Sequence, residues 1–249
     1  MSFAIYCQNL SKNFRSESGS TTKALVDVSF SVKGGEFLTI VGPSGCGKST
    51  LLKLIAGVEQ PDAGTVSFGD QGLDARIGLV FQSSSVFPWR TVEKNLTYAL
   101  EVNGTSKIER VLEATRLCQL VGLESEVFLK KYPKELSGGE TRRVAIGMVL
   151  AAKSNILLFD EPTSQLDYLA KIKIGQTVQS LWLTNAFTAI YVTHDIDEAI
   201  LLGDRVLIME RGRVKDQFTV ELPRPRSTST LSSSEFSALR TQILRRFEE

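Results

Sequence analysis

The sequence predicts an α/β fold organised around a mainly parallel sheet, and three observations carry that prediction. Short, near-continuously apolar runs recur at Phe37–Val41, Ile156–Phe159, Ala189–Val192 and Val206–Met209, the pattern of strands buried on both faces. Stretches with helical spacing separate them, as βαβ units require. One strand also runs straight into a glycine-rich loop and a helix, in the order Phe37–Val41, Gly42–Gly47, Lys48–Ala56. At 249 residues the chain can bury a core for one large domain, or for a domain with a subdomain.

Taken in order, Val26, Val28, Phe30 and Val32 alternate with Asp27, Ser29 and Ser31, which predicts a half-buried strand. The polar stretch Arg15 to Lys23 before it reads as a loop. After the glycine-rich loop, Leu51, Leu52, Leu54 and Ile55 give a helix its apolar face, and Gly57 stops it. Strands follow at Thr65–Phe68 and Ile77–Phe81. From Thr91 to Ala152 the spacing is helical, broken at Gly104, Gly122 and Pro133, which predicts a separate helical subdomain. Beyond Leu222, Pro223-Arg224-Pro225-Arg226 and a Ser/Thr stretch through Ser234 predict an extended or mobile linker. Phe236, Leu239, Ile243 and Phe247 then recur at helical intervals. That amphipathic helix has two open destinations, the chain's own core or a regulatory partner.

Composition narrows the setting. The chain is 42% hydrophobic and 23% charged with a formal net charge of +1, and no strong basic tract marks a nucleic-acid surface. No run of about 18 apolar residues is present to cross a bilayer, and the N-terminus lacks the pattern of a secretory signal. Cys7, Cys46 and Cys118 have no ligand-like spacing and read as reduced thiols in a cytosolic compartment.

The chemistry is concentrated in two places. Gly42-Pro43-Ser44-Gly45-Cys46-Gly47-Lys48-Ser49-Thr50 fits the G-x-x-x-x-G-K-[ST] phosphate loop, whose backbone N–H groups wrap a nucleotide's phosphates. In such a loop Lys48 neutralises the β- and γ-phosphates and the Ser49 hydroxyl ligates Mg²⁺, while the following helix turns its positive end to the anion. Alkylation of Cys46 would obstruct this loop without the thiol having a catalytic role. The strand Ile156–Phe159 delivers a second element, Asp160 and Glu161, ahead of Pro162. Asp160 is the expected outer ligand of Mg²⁺ and Glu161 the general base acting on the attacking water. Alone, Asp-Glu after a strand more often caps a helix; beside a phosphate loop, catalysis is the stronger reading.

Leu136-Ser137-Gly138-Gly139-Glu140 resembles the signature motif of ATP-binding cassette (ABC) proteins, and nearly the whole chain resembles an ABC ATPase. The resemblance implies a RecA-like P-loop NTPase core with a mainly parallel sheet, an antiparallel β subdomain and an inserted α-helical subdomain. Core and β subdomain would span about 1–86 and 153–222, the helical subdomain about 87–152, and the linker and terminal helix 223–249. Gln82 looks like the Q-loop glutamine that contacts Mg²⁺ and water, and His194 like the switch histidine at the γ-phosphate. Phe14 matches the aromatic that stacks on adenine, with a core phenylalanine as the alternative. Ser164-Gln165-Leu166-Asp167 looks like the D-loop that reaches a partner subunit, Asp167 lying near its nucleotide. Ser137 and Gly139, flanked by Gly138 and Glu140, match positions that contact ATP held by a second subunit. The chain departs from the pattern at Glu140, where glutamine is usual, at Thr141-Arg142-Arg143, and at Gln165; these changes bear on turnover more than on binding.

The segment Ser83 to Asn95, containing Phe87-Pro88-Trp89-Arg90-Thr91, resembles importers of the nitrate/sulfonate/taurine group, as does Glu221–Arg226 followed by Leu239-Arg240. That implies a homodimer or a paralogous ABC partner, an integral membrane permease, an indirect periplasmic or extracellular solute-binding protein, and no nucleic acid. It also implies a peripheral position on the cytoplasmic side of the inner membrane. Phe87 and Trp89 fit either a permease-receiving groove or ordinary packing. The alternatives are an exporter or lipid-trafficking ATPase, or a soluble ABC ATPase acting on ribosomes or DNA.

Overall fold

The computed structural model describes residues 2–15, 19–69, 75–82 and 85–248. Strands β1 (Ile5–Arg15) and β2 (Thr21–Val32) pair antiparallel, with Arg15 opposite Thr21 and Asn13 opposite Lys23. The predicted polar loop is therefore shorter than Arg15–Lys23, because Thr21, Thr22 and Lys23 extend the ladder; its residues 16–18 lie outside the described residues. Strand β3 (Phe37–Val41) leads to α1 (Lys48–Ile55), after which Gly57 takes a φ of +70° and β4 (Ala63–Phe68) returns to pair with β1. The result is an antiparallel sheet in the order β2-β1-β4.

Strand β5 (Ile77–Val80) precedes a helical block of α2 (Val92–Leu96), α3 (Tyr98–Val102), α4 (Lys107–Leu120), α5 (Ser125–Phe128) and α6 (Gly138–Ala151). Gly104 and Gly122 adopt positive φ where α3 and α4 end, and Pro133 opens a short 3₁₀ turn, so the breaks fall at the expected residues. Then come β6 (Ile156–Asp160), α7 (Tyr168–Asn185), β7 (Thr188–Thr193), α8 (Ile196–Leu202), β8 (Arg205–Glu210), β9 (Arg213–Thr219) and α9 (Ser234–Glu248).

The main sheet runs β5-β6-β7-β3-β8-β9, parallel throughout except for the antiparallel pair β8-β9. Its strands are apolar on both faces because both are covered. Leu157, Phe159, Ala189 and Tyr191 face one core with Leu96, Leu117, Val144 and Ile174 of the helices. Ile156, Leu158, Ile190 and Val192 face another, shared with α1 and with Ile5, Leu10 and Val28 of the antiparallel sheet. This arrangement is the RecA-like core, antiparallel β subdomain and inserted helical subdomain that the sequence implies.

Of the extended and the mobile alternatives for the linker, mobility does not hold: its first residues are pinned to the core. The Arg226 guanidinium donates to the carbonyls of Ile200, Gly203, Val220 and Leu222, and Arg224 donates to Asp204 while covering Trp182 at 4.4 Å. Burial, aided by Arg224, pushes Arg226 down to about 10. Of the two destinations open to α9, the structure takes the chain's own core: Phe236 and Ile243 are buried with Val41, Ile200 and Val206.

Candidate functional site

Strand order brings the candidate residues together. The glycine loop follows β3, Asp160 ends β6 and His194 follows β7, and β7 lies between the other two. Loops at the carboxyl ends of adjacent parallel strands form the crevice where α/β sheets hold ligands. The loop's shape demands glycine. A Cβ on Gly42 would lie 2.3 Å from the carbonyl of Met209, and one on Gly47, at a φ of +105°, would lie 2.3 Å from that of Ala24.

Lys48 is 4% exposed, and its Nζ donates to the carbonyls of Gly42 (2.8 Å) and Pro43 (3.0 Å). The same ammonium lies 3.7 Å from Glu161 Oε1. Glu161 Oε2 is 3.4 Å from Gln82 Nε2 and 3.5 Å from His194 Nδ1. Lys48, Gln82 and His194 thus converge on one carboxylate. Glu161 itself sits at a φ of +44°, its N–H bonded to the Val192 carbonyl at 3.0 Å, a left-handed backbone of the kind that functional sites retain.

Beside it, Ser49 Oγ donates to Asp160 Oδ1 at 2.8 Å. Burial raises the Asp160 carboxyl above the ordinary aspartate value, against the Ser49 hydrogen bond that favours its charge. Among the described residues no group of three or more His, Cys, Asp or Glu is gathered to hold a metal. One hydroxyl and one carboxylate suit Mg²⁺, which keeps waters and completes its shell with substrate phosphates. Burial also raises the Cys46 thiol, opposed by Lys48.

The remaining candidates form a second group. Ser137, Gly139, Glu140 and Asp167 line a cleft of about 200 Å³ with Arg143 and Lys173. Ser137 caps α6: its hydroxyl accepts from the Glu140 N–H at 3.3 Å, and the Glu140 carboxylate accepts from the Ser137 N–H at 2.7 Å, a capping box. Desolvation opposes the Glu140 charge, but Ser137, Arg143 and Lys131 outweigh it and hold the carboxyl below the ordinary glutamate value. Asp167 caps α7 through the Ala170 N–H. Phe14, 41% exposed, is not a core residue; Lys12 Nζ lies 5.5 Å from its ring.

Sequence reading missed two connections. Arg142 on α6 donates to the backbone carbonyls of Phe81 and Gln82, tying the signature helix to the Gln82 loop. Glu198 on α8 accepts hydroxyl hydrogen bonds from Thr163, Tyr191 and Thr193. Its burial raises the carboxyl, with the three hydroxyls opposing. Of the segment Ser83–Asn95, Ser83 and Ser84 lie outside the described residues. The rest is organised by buried Asn95, which accepts from the Phe87 N–H and donates to the carbonyls of Phe87, Arg90 and Thr91. Phe87 packs on Tyr98 at 4.7 Å, whereas Trp89 is 72% exposed.

Residues 25–164 match the ABC transporter family. An ABC transporter ATP-binding protein of Methanocaldococcus jannaschii is 40% identical over 98% of this chain and 91% of its own length. An aliphatic sulfonates import ATP-binding protein of Rhodopseudomonas palustris is 39% identical, covering 97% of this chain and 82% of its own. One from Shouchella clausii is 40% identical, covering 92% and 87%. Among solved structures, the cassette MJ0796, a dimer in a post-hydrolysis state bound to ADP and Pi, superposes with a TM-score of 0.76 at 31% identity, covering 88% of this chain and 100% of that one. A family match through the glycine loop and the acidic strand end, with identity sustained over almost the entire length of such relatives, makes this chain a member of the ABC transporter family and an ATPase.

Proposed function

We propose that the chain is the ATP-hydrolysing subunit of an importer for a small solute of the nitrate, sulfonate or taurine type. The observation that carries the hydrolytic part is the convergence of Lys48, Gln82 and His194 on Glu161, at 3.4 to 3.7 Å. In this reading Gly42–Thr50 wrap the triphosphate, Phe14 stacks on adenine, and Lys48 leaves the Gly42 and Pro43 carbonyls for the phosphates. Ser49, Asp160 and Gln82 would hold Mg²⁺, which when bound would supply neutralisation of the phosphate charge. Glu161 takes a proton from the attacking water, which Gln82 contacts, while His194 contacts the γ-phosphate.

Ser137, Gly138, Gly139, Glu140 and Asp167 act on the nucleotide of a second cassette. Supporting this, all of them but Gly138 line one cleft of their own, and among the described residues no hydrogen bond joins the signature to the phosphate loop. The partner cassette is a second copy or a paralogue. Exposed Trp89, beside Phe87, receives a permease at the cytoplasmic side of the inner membrane, with a solute-binding protein acting through that permease. Names of the sulfonate-import relatives support the importer reading. Among the described residues no helix is long and apolar enough to cross a membrane.

The test is Glu161→Gln. It retains ATP binding, loses turnover by about 100-fold or more, and elutes as a dimer only with ATP. Wild-type turnover in that variant would remove Glu161 as the base. Pulled from native membranes with its partners, the wild-type chain brings a permease; recovery of an exporter, or of ribosomes, would replace the importer reading.

A further inference from the structure

Glu198 is a partly buried carboxylate that the hydrolytic reading leaves without a task. It is largely withdrawn from solvent, and among the described residues no cation pairs with it. A charge in that position is tolerable only inside a satisfied network. Its oxygens are shared in a particular way. Oε2 accepts two hydroxyls, Thr163 at 3.0 Å and Thr193 at 2.6 Å, while Oε1 accepts Tyr191 at 2.6 Å. Thr163 lies two residues after Glu161, and Thr193 immediately precedes His194. One oxygen atom therefore ties the loop leaving β6 to the end of β7.

We propose that Glu198 is a positioning residue that fixes the separation of Glu161 and His194 by clamping their flanking threonines on a single carboxylate oxygen. The proposal rests on the hydrolytic reading of that pair. The surrounding anchors favour a rigid clamp. Asp195 caps α8 by accepting from the N–H groups of Asp197 and Glu198, so the Glu198 backbone is held at the start of its helix. Thr193 Oγ1 also accepts from the Asp195 N–H at 3.1 Å. Tyr191 packs against Phe159, the neighbour of Asp160, at 5.5 Å. A carboxylate can accept all three hydroxyls at once. A glutamine amide presents one acceptor and one donor end, and could not satisfy them without turning a hydroxyl around.

Removing Glu198 outright risks unfolding, so the clamp is opened from the far side. Thr163→Val deletes one arm at nearly constant volume, and Thr163→Ser restores the hydroxyl. His194 is the chain's only histidine, so the Hε1 imidazole resonance in an NMR spectrum reports its surroundings without competing histidine signals. In the chain with Mg-ATP, Thr163→Val should lower kcat about fivefold, leave KM near wild type and lower the melting temperature by only about 2–4 °C. It should also move the imidazole resonance, and Thr163→Ser should return both kcat and the resonance. A Thr163→Val protein with wild-type kcat and an unmoved resonance would overturn the clamp. So would a loss of kcat that serine does not restore. If Glu161→Gln turned over normally, the hydrolytic reading would fall, while the imidazole signal would still decide whether the clamp exists.

Discussion

Ser49 and Asp160, 111 residues apart in sequence, meet through a hydrogen bond of 2.8 Å from hydroxyl to carboxylate. The contact exists because β6 delivers Asp160 at its end and α1 begins just after β3, with only β7 between the two strands.

Asp160→Asn separates the chemistry of this pair from its packing. Asparagine keeps an acceptor for Ser49 but removes the charge that would face Mg²⁺. Steady-state ATPase activity should fall about 100-fold, and the Mg²⁺ concentration giving half-maximal rate should rise. Burial disfavours the Asp160 charge, so the nucleotide-free variant should melt no lower than wild type. Full activity at ordinary Mg²⁺ would remove Asp160 from the metal site.

Glu140→Gln tests the signature's departure. Glutamine serves the capping box as well as glutamate, so stability at neutral pH should change by less than about 0.5 kcal/mol. Its loss of charge beside the γ-phosphate of a second cassette should raise ATPase rate modestly, by about twofold; an unchanged or lower rate would count against that. The acid side adds a check. The folded-state carboxyl of Glu140 lies below its unfolded value, so its stabilisation is present above the ordinary glutamate value and is lost as pH falls through the folded one. The glutamine variant should lack that increment in a urea titration.

Arg226→Ala strips the donor from four backbone carbonyls, those of Ile200, Gly203, Val220 and Leu222. Leaving buried acceptors unmet should cost about 3 kcal/mol in a denaturant titration and raise hydrogen exchange in α9. A wild-type midpoint would mean the C-terminal segment is held by Phe236 and Ile243 alone.

How much of this was legible in the sequence follows from burial. Strands β3, β6, β7 and β8 announce themselves because both faces are covered, and the glycine loop because its backbone needs residues without a Cβ. Strand β9 did not, since as an edge it carries Arg213, Lys215, Asp216 and Gln217. Residues directly after buried strands were located by motif and do converge. Glu198 was illegible because its meaning lies in Thr163, 35 positions away. The Pro/Ser-rich composition after Leu222 suggested an extended or mobile segment, but composition says nothing of the carbonyls in and just after α8, and just after β9, that meet Arg226.

Strand β3 carries the phosphate loop, yet both of its neighbours, β7 and β8, are made near the end of the chain. A ribosome that has not yet released Thr188 has already supplied the whole loop and neither strand that flanks it. Until then β3 has only its apolar sides to offer, and sheet assembly must wait for contacts of high sequence separation. The phosphate loop's carrier strand thus waits, without either hydrogen-bonded neighbour, for a part of the chain made about 150 residues later.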